Sequence, residues 1–172
     1  MGSVPTVRRI TPGDWRRLRA IRTEALADSP LAFITTLDEA LDEPDTLWKD
    51  RARAGASGDE QATMIAVDGD DTVGMAVGVR RSKPPSEVVP IVAVFVSPRV
   101  RRHGVGAGLM AGVEEWAASI GGTTCSLWVV DGNDGAARFY RSLGYVPTLD
   151  RQRISKPPVR WETRYEKRLT AG

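Results

Sequence analysis

The sequence has one cysteine and one histidine among its 172 residues, and this scarcity limits what they can build. Cys125 has no second cysteine with which to form an intrachain disulfide. No cluster of metal-ligating side chains surrounds it either, so the sequence offers no metal site. We therefore expect a protein that folds without disulfide bonds and works without a metal ion.

Long hydrophobic runs are also missing. No apolar stretch reaches the roughly 18 residues that a transmembrane helix requires. The opening segment MGSVPTVRRI lacks the apolar core of a secretory signal. These two absences lead us to expect a cytoplasmic protein that does not associate with a membrane.

Neither sign of charge dominates. The 24 basic and 22 acidic residues leave a net charge of +2, which is too small to imply a nucleic-acid partner. Basic residues do gather at Arg99–Arg102 and between Arg151 and Arg168. The second cluster lacks clustered aromatic residues and a recognition-helix pattern, so we interpret it as a solvated face. No nucleic-acid binding is expected.

What the sequence does contain is the composition of a globular domain, with 41% hydrophobic and 27% charged residues. Its length fits one domain spanning residues 1–172. Changes in hydrophobic period predict the element order βααβββαβαβ(β), with one further strand in brackets. No repeat or long linker divides the chain. We therefore predict a single α/β domain whose mixed sheet is flanked by helices.

Local signals place these elements along the chain. Thr11 and Pro12 indicate a first helix start, and Pro44 begins a second helix. The apolar run Val88–Val96 predicts a central strand, in which Pro90 lacks an N–H group and must interrupt the ladder. The remaining predictions are a strand at Val4–Ile10, a hairpin turn at Asp68–Asp71, a helix ending near Ile120, a strand at Thr124–Val130, a helix at Ala136–Leu143 and a strand at Val159–Leu169.

The most informative segment runs from Val94 to Gly108, where a strand leads into a glycine-rich turn that begins an amphipathic helix. Free N–H groups at a helix start, together with the helix dipole, bind anions, and nearby arginines add positive charge. A dinucleotide fingerprint would need a glycine where Leu109 stands, and a P-loop would need a Gly-Lys-Ser/Thr step that is absent. The segment therefore predicts a phosphate-bearing ligand.

Two motifs in this region resemble those of the GNAT superfamily of acyl-CoA-dependent N-acyltransferases. Residues Arg101–Gly106 match its pyrophosphate-binding pattern Arg/Gln-x-x-Gly-x-Gly/Ala. Residues Asn133–Tyr145 match its pattern N-x-x-A-x-x-F-Y-x-x-x-G-F/Y, at the family's spacing. The resemblance covers nearly the whole chain and implies a GNAT-like domain with a mixed, mostly antiparallel central sheet.

The resemblance implies acetyl-CoA as the acyl donor and indicates where it binds. The backbone of Val94, Phe95 and Val96 would hold the pantetheine arm and the acetyl carbonyl, like an added strand. Asn133 would contact the cofactor side of the cleft, and Tyr140 would lie near the CoA sulfur as the catalytic acid. The cofactor-binding residues implied by the first motif are Arg101, Arg102, His103, Gly104, Val105, Gly106 and Ala107.

The implied activity is transfer of an acetyl group from acetyl-CoA to a primary amine of a small molecule or peptide, by direct attack in a ternary complex. The amine must be neutral, yet a lysine-like ammonium of pKa about 10.4 is only roughly 0.04% deprotonated at pH 7. Family members with a glutamate base on the central strand or the next strand differ from this chain, which has Pro90 and Trp128 there. A non-catalytic CoA-binding or regulatory module is the alternative function.

The resemblance places the acceptor near the first two helices, their connection and the late strands. Acidic residues such as Asp38 and Glu39 would attract a cationic amine there. Glu87 is also a candidate base acting through water, with an exposed charge at a strand end as the alternative. Family members often pair through their late strands, which predicts a homodimer. The candidate substrate-binding residues are Phe33, Trp48, Glu87 and Trp128.

Overall fold

Seven strands form one sheet in the computed structural model, which describes residues 4–81 and 88–170. They are β1 (Thr6–Arg9), β2 (Gln61–Asp68), β3 (Asp71–Val79), β4 (Val88–Val96), β5 (Thr124–Val130), β6 (Val146–Ile154) and β7 (Arg160–Arg168). Their spatial order is β1-β2-β3-β4-β5-β7-β6. β4 and β5 pair in parallel, and the other neighbours pair antiparallel.

Helices cover both faces of this sheet. They are α1 (Trp15–Asp28), α2 (Leu37–Asp42), α3 (Asp45–Ala56), α4 (Val105–Ser119) and α5 (Asp134–Ser142). On β2, Met64 belongs to the core cluster formed with α4, whereas its neighbour Ile65 belongs to the cluster formed with α1 and α3. Because successive strand residues point to opposite faces, β2 is apolar on both sides and supports both helical layers.

The predicted fold class is confirmed, with two differences in detail. Three helices precede β2 rather than two, because a capping box between Thr36 and Glu39 stabilises the six-residue α2. The first helix begins at Trp15 rather than directly after Thr11, since Pro12–Asp14 forms a 3-10 turn. There the Asp14 carboxylate accepts hydrogen bonds from the Thr11 N–H and hydroxyl, both at 2.8 Å.

The central strand β4 bends away from β5 partway along its length. Its pairing with β5 ends where Pro90 faces Ser126. On the β3 side, Ala93 and Val94 together oppose a single residue, and Ala93 adopts a positive φ of 54°. This is a β-bulge, which bends a strand and re-aims its backbone groups. The break predicted at Pro90 is therefore found in the ladder with β5, which ends at that residue. The bulge on the β3 side lies three residues further on.

Candidate active site

An opening between β4 and β5 is the centre of the candidate site. Beyond Pro90, β5 no longer pairs with β4, so the edge of β4 carrying Val94, Phe95 and Val96 is unpaired on that side. Unpaired strand edges offer N–H and C=O groups to any extended ligand. The three predicted backbone-binding residues thus lie together on one edge that no strand covers, where the Val96 carbonyl accepts from Arg101 Nε at 3.0 Å.

The glycine-rich turn closes one end of this opening. Arg102 and Gly104 have positive φ values of 70° and 77°, and Gly104 caps the start of α4. Within the described chain, the backbone N–H groups from Arg102 to Ala107 donate no hydrogen bond, and the first helical bond starts from the Gly108 N–H. A cluster of free N–H groups at the positive end of a helix dipole is an anion-binding site.

The three basic side chains of the turn are used differently. Arg101 donates from Nε to the Val96 carbonyl oxygen at 3.0 Å and from Nη2 to the Asp28 carboxylate at 2.8 Å. Its charge is therefore already paired, and its side chain ties the turn to β4 and to the end of α1. His103 Nδ1 donates back to the Arg101 carbonyl at 3.0 Å. Arg102 is exposed, and no described residue pairs with it.

The second motif forms α5, on the β5 side of the opening. Asn133 caps this helix, its side-chain oxygen accepting from the Ala136 N–H at 3.2 Å. Phe139 lies against the glycine-rich helix, because a Cβ atom built on Gly106 would fall only 2.8 Å from its ring. The absence of a side chain at position 106 thus lets α4 and α5 approach each other closely.

Tyr140 lies among aromatic rings on the buried side of α5. Its ring centroid is 5.1 Å from that of Phe139 and 6.0 Å from that of Tyr145. Burial raises the pKa of Tyr140 well above its usual value. The hydroxyl therefore keeps its proton at neutral pH and is available as a donor.

A cavity of about 250 Å³ lies on the other side of β4, between the sheet and the helices α1 and α3. Its lining includes Val92 and Ala93 of the bulge, and also Trp48, one of the predicted acceptor residues. Two arginines, Arg22 and Arg51, and one carboxylate, Glu43, are its charged members among the described residues. The bulge borders both the cavity and the opening. A ligand bound in the cavity would therefore contact a ligand bound in the opening at β4.

Phe33 and Trp128, two of the other predicted acceptor residues, do not line this cavity. Phe33 lies beside it, with its ring stacked under the Arg22 guanidinium at 4.7 Å. Trp128 is partly exposed on β5. Glu39 of α2 forms an ion pair with Lys156 at 2.6 Å, so its charge is not free to attract a cation. Glu87 lies outside the described residues.

Arg22 is a cavity residue that was not predicted as part of the site, as are Arg51 and Glu43. It follows directly after the buried Ile21 and stands four residues after Leu18, which is also buried. A charged residue that shares a helix stripe with core residues is the pattern that marks it. The pattern does not indicate that Arg22 lines a cavity.

Among residues 4–81 and 88–170, no three His, Cys, Asp or Glu side chains are grouped to hold a metal ion. Over the same ranges, no helix combines the length and the apolar character needed to cross a bilayer.

Comparison with known proteins agrees with this geometry. The pattern of the acetyltransferase (GNAT) family matches residues 18–145, which include both motif segments. An uncharacterised N-acetyltransferase of Methanocaldococcus jannaschii is 39% identical over 59 residues, which cover 34% of this chain. That match spans 26%, or about a quarter, of the length of the curated relative.

Solved structures show the fold more completely. A GNAT-family acetyltransferase from Streptococcus pneumoniae superposes with a TM-score of 0.79 at 19% identity, covering 95% of this chain and 99% of that one. The yncA protein of Salmonella typhimurium, solved with its cofactor acetyl-CoA, gives 0.72 at 16% identity over 99% and 96%. The ribosomal-protein-alanine N-acetyltransferase of Brucella melitensis gives 0.72 at 20% identity over 95% and 99%. The chain therefore belongs to the acetyltransferase (GNAT) family.

Proposed function

We propose that this protein transfers the acetyl group of acetyl-CoA to a primary amine of a small molecule or peptide, in a ternary complex. The observation that carries this proposal is the free edge of β4, which runs directly into the cluster of unpaired N–H groups from Arg102 to Ala107. An extended arm that bears amides and leads into a diphosphate would use the strand edge first and the N–H cluster next. CoA has that chemistry.

The residues present fit this donor. Val94, Phe95 and Val96 would pair with the amides of the pantetheine arm, as in strand addition. The N–H groups from Arg102 to Ala107 would hold the diphosphate, with the exposed Arg102 adding charge. Asn133, at the start of α5, would border the arm from the β5 side.

When bound, acetyl-CoA supplies a thioester whose C–S bond breaks as the amine nitrogen bonds to the acetyl carbon, and CoA leaves as a free thiol with the amine's proton. A backbone N–H next to the bulge, at Val94, would donate to the carbonyl oxygen and stabilise its developing charge. The Tyr140 hydroxyl would donate its proton to the departing sulfur and would be reprotonated by the proton that the amine nitrogen loses, so that the proton of the thiol comes from the amine overall. Both groups are held in place by packing rather than by flexible side chains.

The acceptor's own proton has no evident side-chain acceptor in the described part of the cavity. Glu43, its one carboxylate there, forms two hydrogen bonds with Arg51. We therefore propose that the amine reacts from its neutral form or loses its proton to water. The pH dependence of kcat/KM would then rise until the pKa of the acceptor itself, and would shift when an acceptor of lower pKa is used.

The proposal is tested by measuring acetyl-CoA binding and CoA thiol release with a panel of amines, using Gly106→Val as the site variant. A valine there must displace Phe139, and overpacking of this kind costs about 1–3 kcal/mol. We expect the affinity for acetyl-CoA to fall roughly fivefold to a hundredfold. Gly13→Val is the matched control, because a Cβ atom at Gly13 meets only Thr11 Oγ1 at 3.8 Å, far from the opening.

Three outcomes are informative. Thiol release that depends on an amine supports acetyl transfer. Binding of acetyl-CoA without release from any amine supports the alternative, a CoA-binding module without catalysis. Unchanged affinity in Gly106→Val would contradict the assignment of the glycine-rich turn.

We also propose a homodimer formed through the late strands. β7 lies inside the sheet between β5 and β6, so the edge available for pairing is β6. This strand exposes Leu149 completely and Val146 for the most part. Light scattering at high protein concentration tests the proposal, and a mass near 18.7 kDa would contradict it.

A further inference from the structure

The cavity beside the β4 bulge carries an excess of positive charge. Arg51 donates to both Glu43 carboxylate oxygens, at 2.5 and 2.8 Å. This bidentate pair uses the one carboxylate among the described lining residues. Arg22 therefore keeps a positive charge that no described side chain neutralises.

The surroundings of Arg22 favour an anion. Its Nη1 is buried and has no hydrogen-bond acceptor in the described chain. Burial lowers the pKa of Arg22, and the charge of Arg51 lowers it more than Glu43 raises it. An arginine remains protonated in spite of such shifts. The side chain is thus a buried cation close to a second cation. An anion bound beside it would offset the cost of burying its charge and the repulsion from Arg51.

A second unpartnered donor belongs to another residue that lines the cavity. The Nε1–H of Trp48 is buried without an acceptor among the described residues. Its ring is held by the Arg51 guanidinium, which lies 4.8 Å from the ring centroid. Buried donors without acceptors are rare in proteins and call for an explanation. Both donors belong to residues that line one cavity, and both lack an acceptor, which a ligand with oxygen atoms in that cavity would supply.

We propose that the acceptor is a small amine that also carries a carboxylate, and that Arg22 and Trp48 bind this carboxylate after a small side-chain rotation. The inference rests on the acetyl transfer proposed above. A carboxylate is an acceptor of hydrogen bonds only, and a guanidinium matches it with two parallel donors. The cavity is smaller than the roughly 300–1,000 Å³ of sites for drug-sized ligands. It suits an amino-acid-sized molecule better than a peptide.

This proposal reverses the expectation drawn from Asp38 and Glu39. Those acidic residues do not line the cavity, and the described residues that do would repel a ligand of purely positive charge. A zwitterion such as an amino acid would not be repelled, because its carboxylate would bind Arg22 while its amine reaches the bulge at Ala93. The same cavity borders both residues.

The test compares matched ligands and matched variants. The ligands are a set of amino acids, the primary amide of each, the corresponding decarboxylated amines, and an aminophosphonate as a second oxyanion. Binding is measured by calorimetry in the presence of CoA, and turnover by CoA thiol release. The site variant is Arg22→Gln. The control is Arg16→Gln, on the same helix, since Arg16 is exposed and does not line the cavity.

We expect the wild-type protein to bind a carboxylated amine about tenfold to a hundredfold more tightly than its amide, as a hydrogen-bonded charge predicts. Arg22→Gln should bring the ratio of acid affinity to amide affinity close to one without changing the affinity for acetyl-CoA. Arg16→Gln should leave that ratio at its wild-type value. If Arg22→Gln does not fold by circular dichroism, Arg22→Lys keeps the charge but not the paired donors, and should lower the ratio in part.

The outcomes separate this inference from the proposed function. Four results would overturn the carboxylate assignment. They are equal binding of acids and amides, preference for peptide amines, preference for the aminophosphonate over every amino acid, and an acid-to-amide affinity ratio that is unchanged in Arg22→Gln. Thiol release from acids and amides at equal rates would do the same while leaving acetyl transfer intact. Carboxylate-dependent binding without thiol release would contradict acetyl transfer and leave the cavity assignment standing.

Discussion

Replacing Tyr140 with phenylalanine removes one hydroxyl group and leaves the ring in place. The side chain is 9% exposed and is held by Phe139 and Tyr145. Its hydroxyl makes no hydrogen bond with the described residues, and burial alone raises its pKa. Since no partner is left unsatisfied by the substitution, we expect the free energy of unfolding to change by less than about 1 kcal/mol.

The expected effect on turnover is much larger. Loss of a positioned proton donor reduces rates by about 10²–10³-fold. At about 1.4 kcal/mol for each tenfold change, this adds roughly 3–4 kcal/mol to the activation barrier. The interaction forms only as the sulfur departs, so the affinity for acetyl-CoA should stay within roughly twofold of the wild-type value.

A second tyrosine of the same cluster provides a contrasting control. The Tyr145 hydroxyl donates to Glu114 at 2.8 Å, and Lys167 donates to the other oxygen of that carboxylate at 2.7 Å. Tyr145→Phe should therefore reduce the free energy of unfolding by about 1–3 kcal/mol and leave turnover nearly unchanged. Tyr140→Phe should show the opposite pattern.

The assays are CoA thiol release under saturating acetyl-CoA and urea denaturation of each variant. Turnover is interpreted only after a pre-steady-state burst has been excluded, so that chemistry limits the rate. Near-wild-type turnover in Tyr140→Phe under those conditions would refute the assignment of its hydroxyl as the proton donor. Water would then remain as the proton source.

Further predictions concern stability, reactivity and the basic turn. Hydrogen bonding to Arg8 lowers the pKa of Asp14, so its contribution to stability is present above about pH 4 and is lost as the pH falls further. Asp14→Asn should reduce the free energy of unfolding by about 1–3 kcal/mol at pH 7 and flatten its decline in acid, as measured by urea denaturation at several pH values. Burial raises the pKa of Cys125 to about 12, so a thiol reagent at pH 8 should label the unfolded chain much faster than the folded protein. Arg102→Ala should weaken acetyl-CoA binding more at low salt than at high salt, whereas the already paired Arg101 should show little salt dependence on replacement, by calorimetry in a salt series.

Local patterns were enough to predict the glycine-rich turn and the elements around it. The free N–H groups of Arg102–Ala107 follow from a strand, a glycine and a helix start that are adjacent in the chain. The hairpin between β2 and β3 was predictable for the same reason, since Asp68–Asp71 is a turn signal on its own. Such features depend on a few consecutive residues and need no knowledge of the tertiary fold.

Features that depend on distant residues were not predictable. The break of the β5 ladder at Pro90 was predictable from the missing N–H, but the bulge at Ala93 was not, because its position follows from how β4 registers against β3. The pairing of Glu43 with Arg51, which leaves Arg22 alone, joins residues of different elements. The sign of the charge in the cavity depends on that pairing and not on composition.

The central claim is that acetyl-CoA lies along the free edge of β4 with its diphosphate on the amides of the glycine-rich turn. The most direct measurement is a titration of the ¹⁵N-labelled protein with acetyl-CoA, followed by amide chemical shifts. We expect saturable shifts, at a roughly micromolar dissociation constant, that are largest at Val94–Val96 and Arg102–Ala107. Saturation without shifts in these two segments, or no binding at millimolar acetyl-CoA, would contradict the claim.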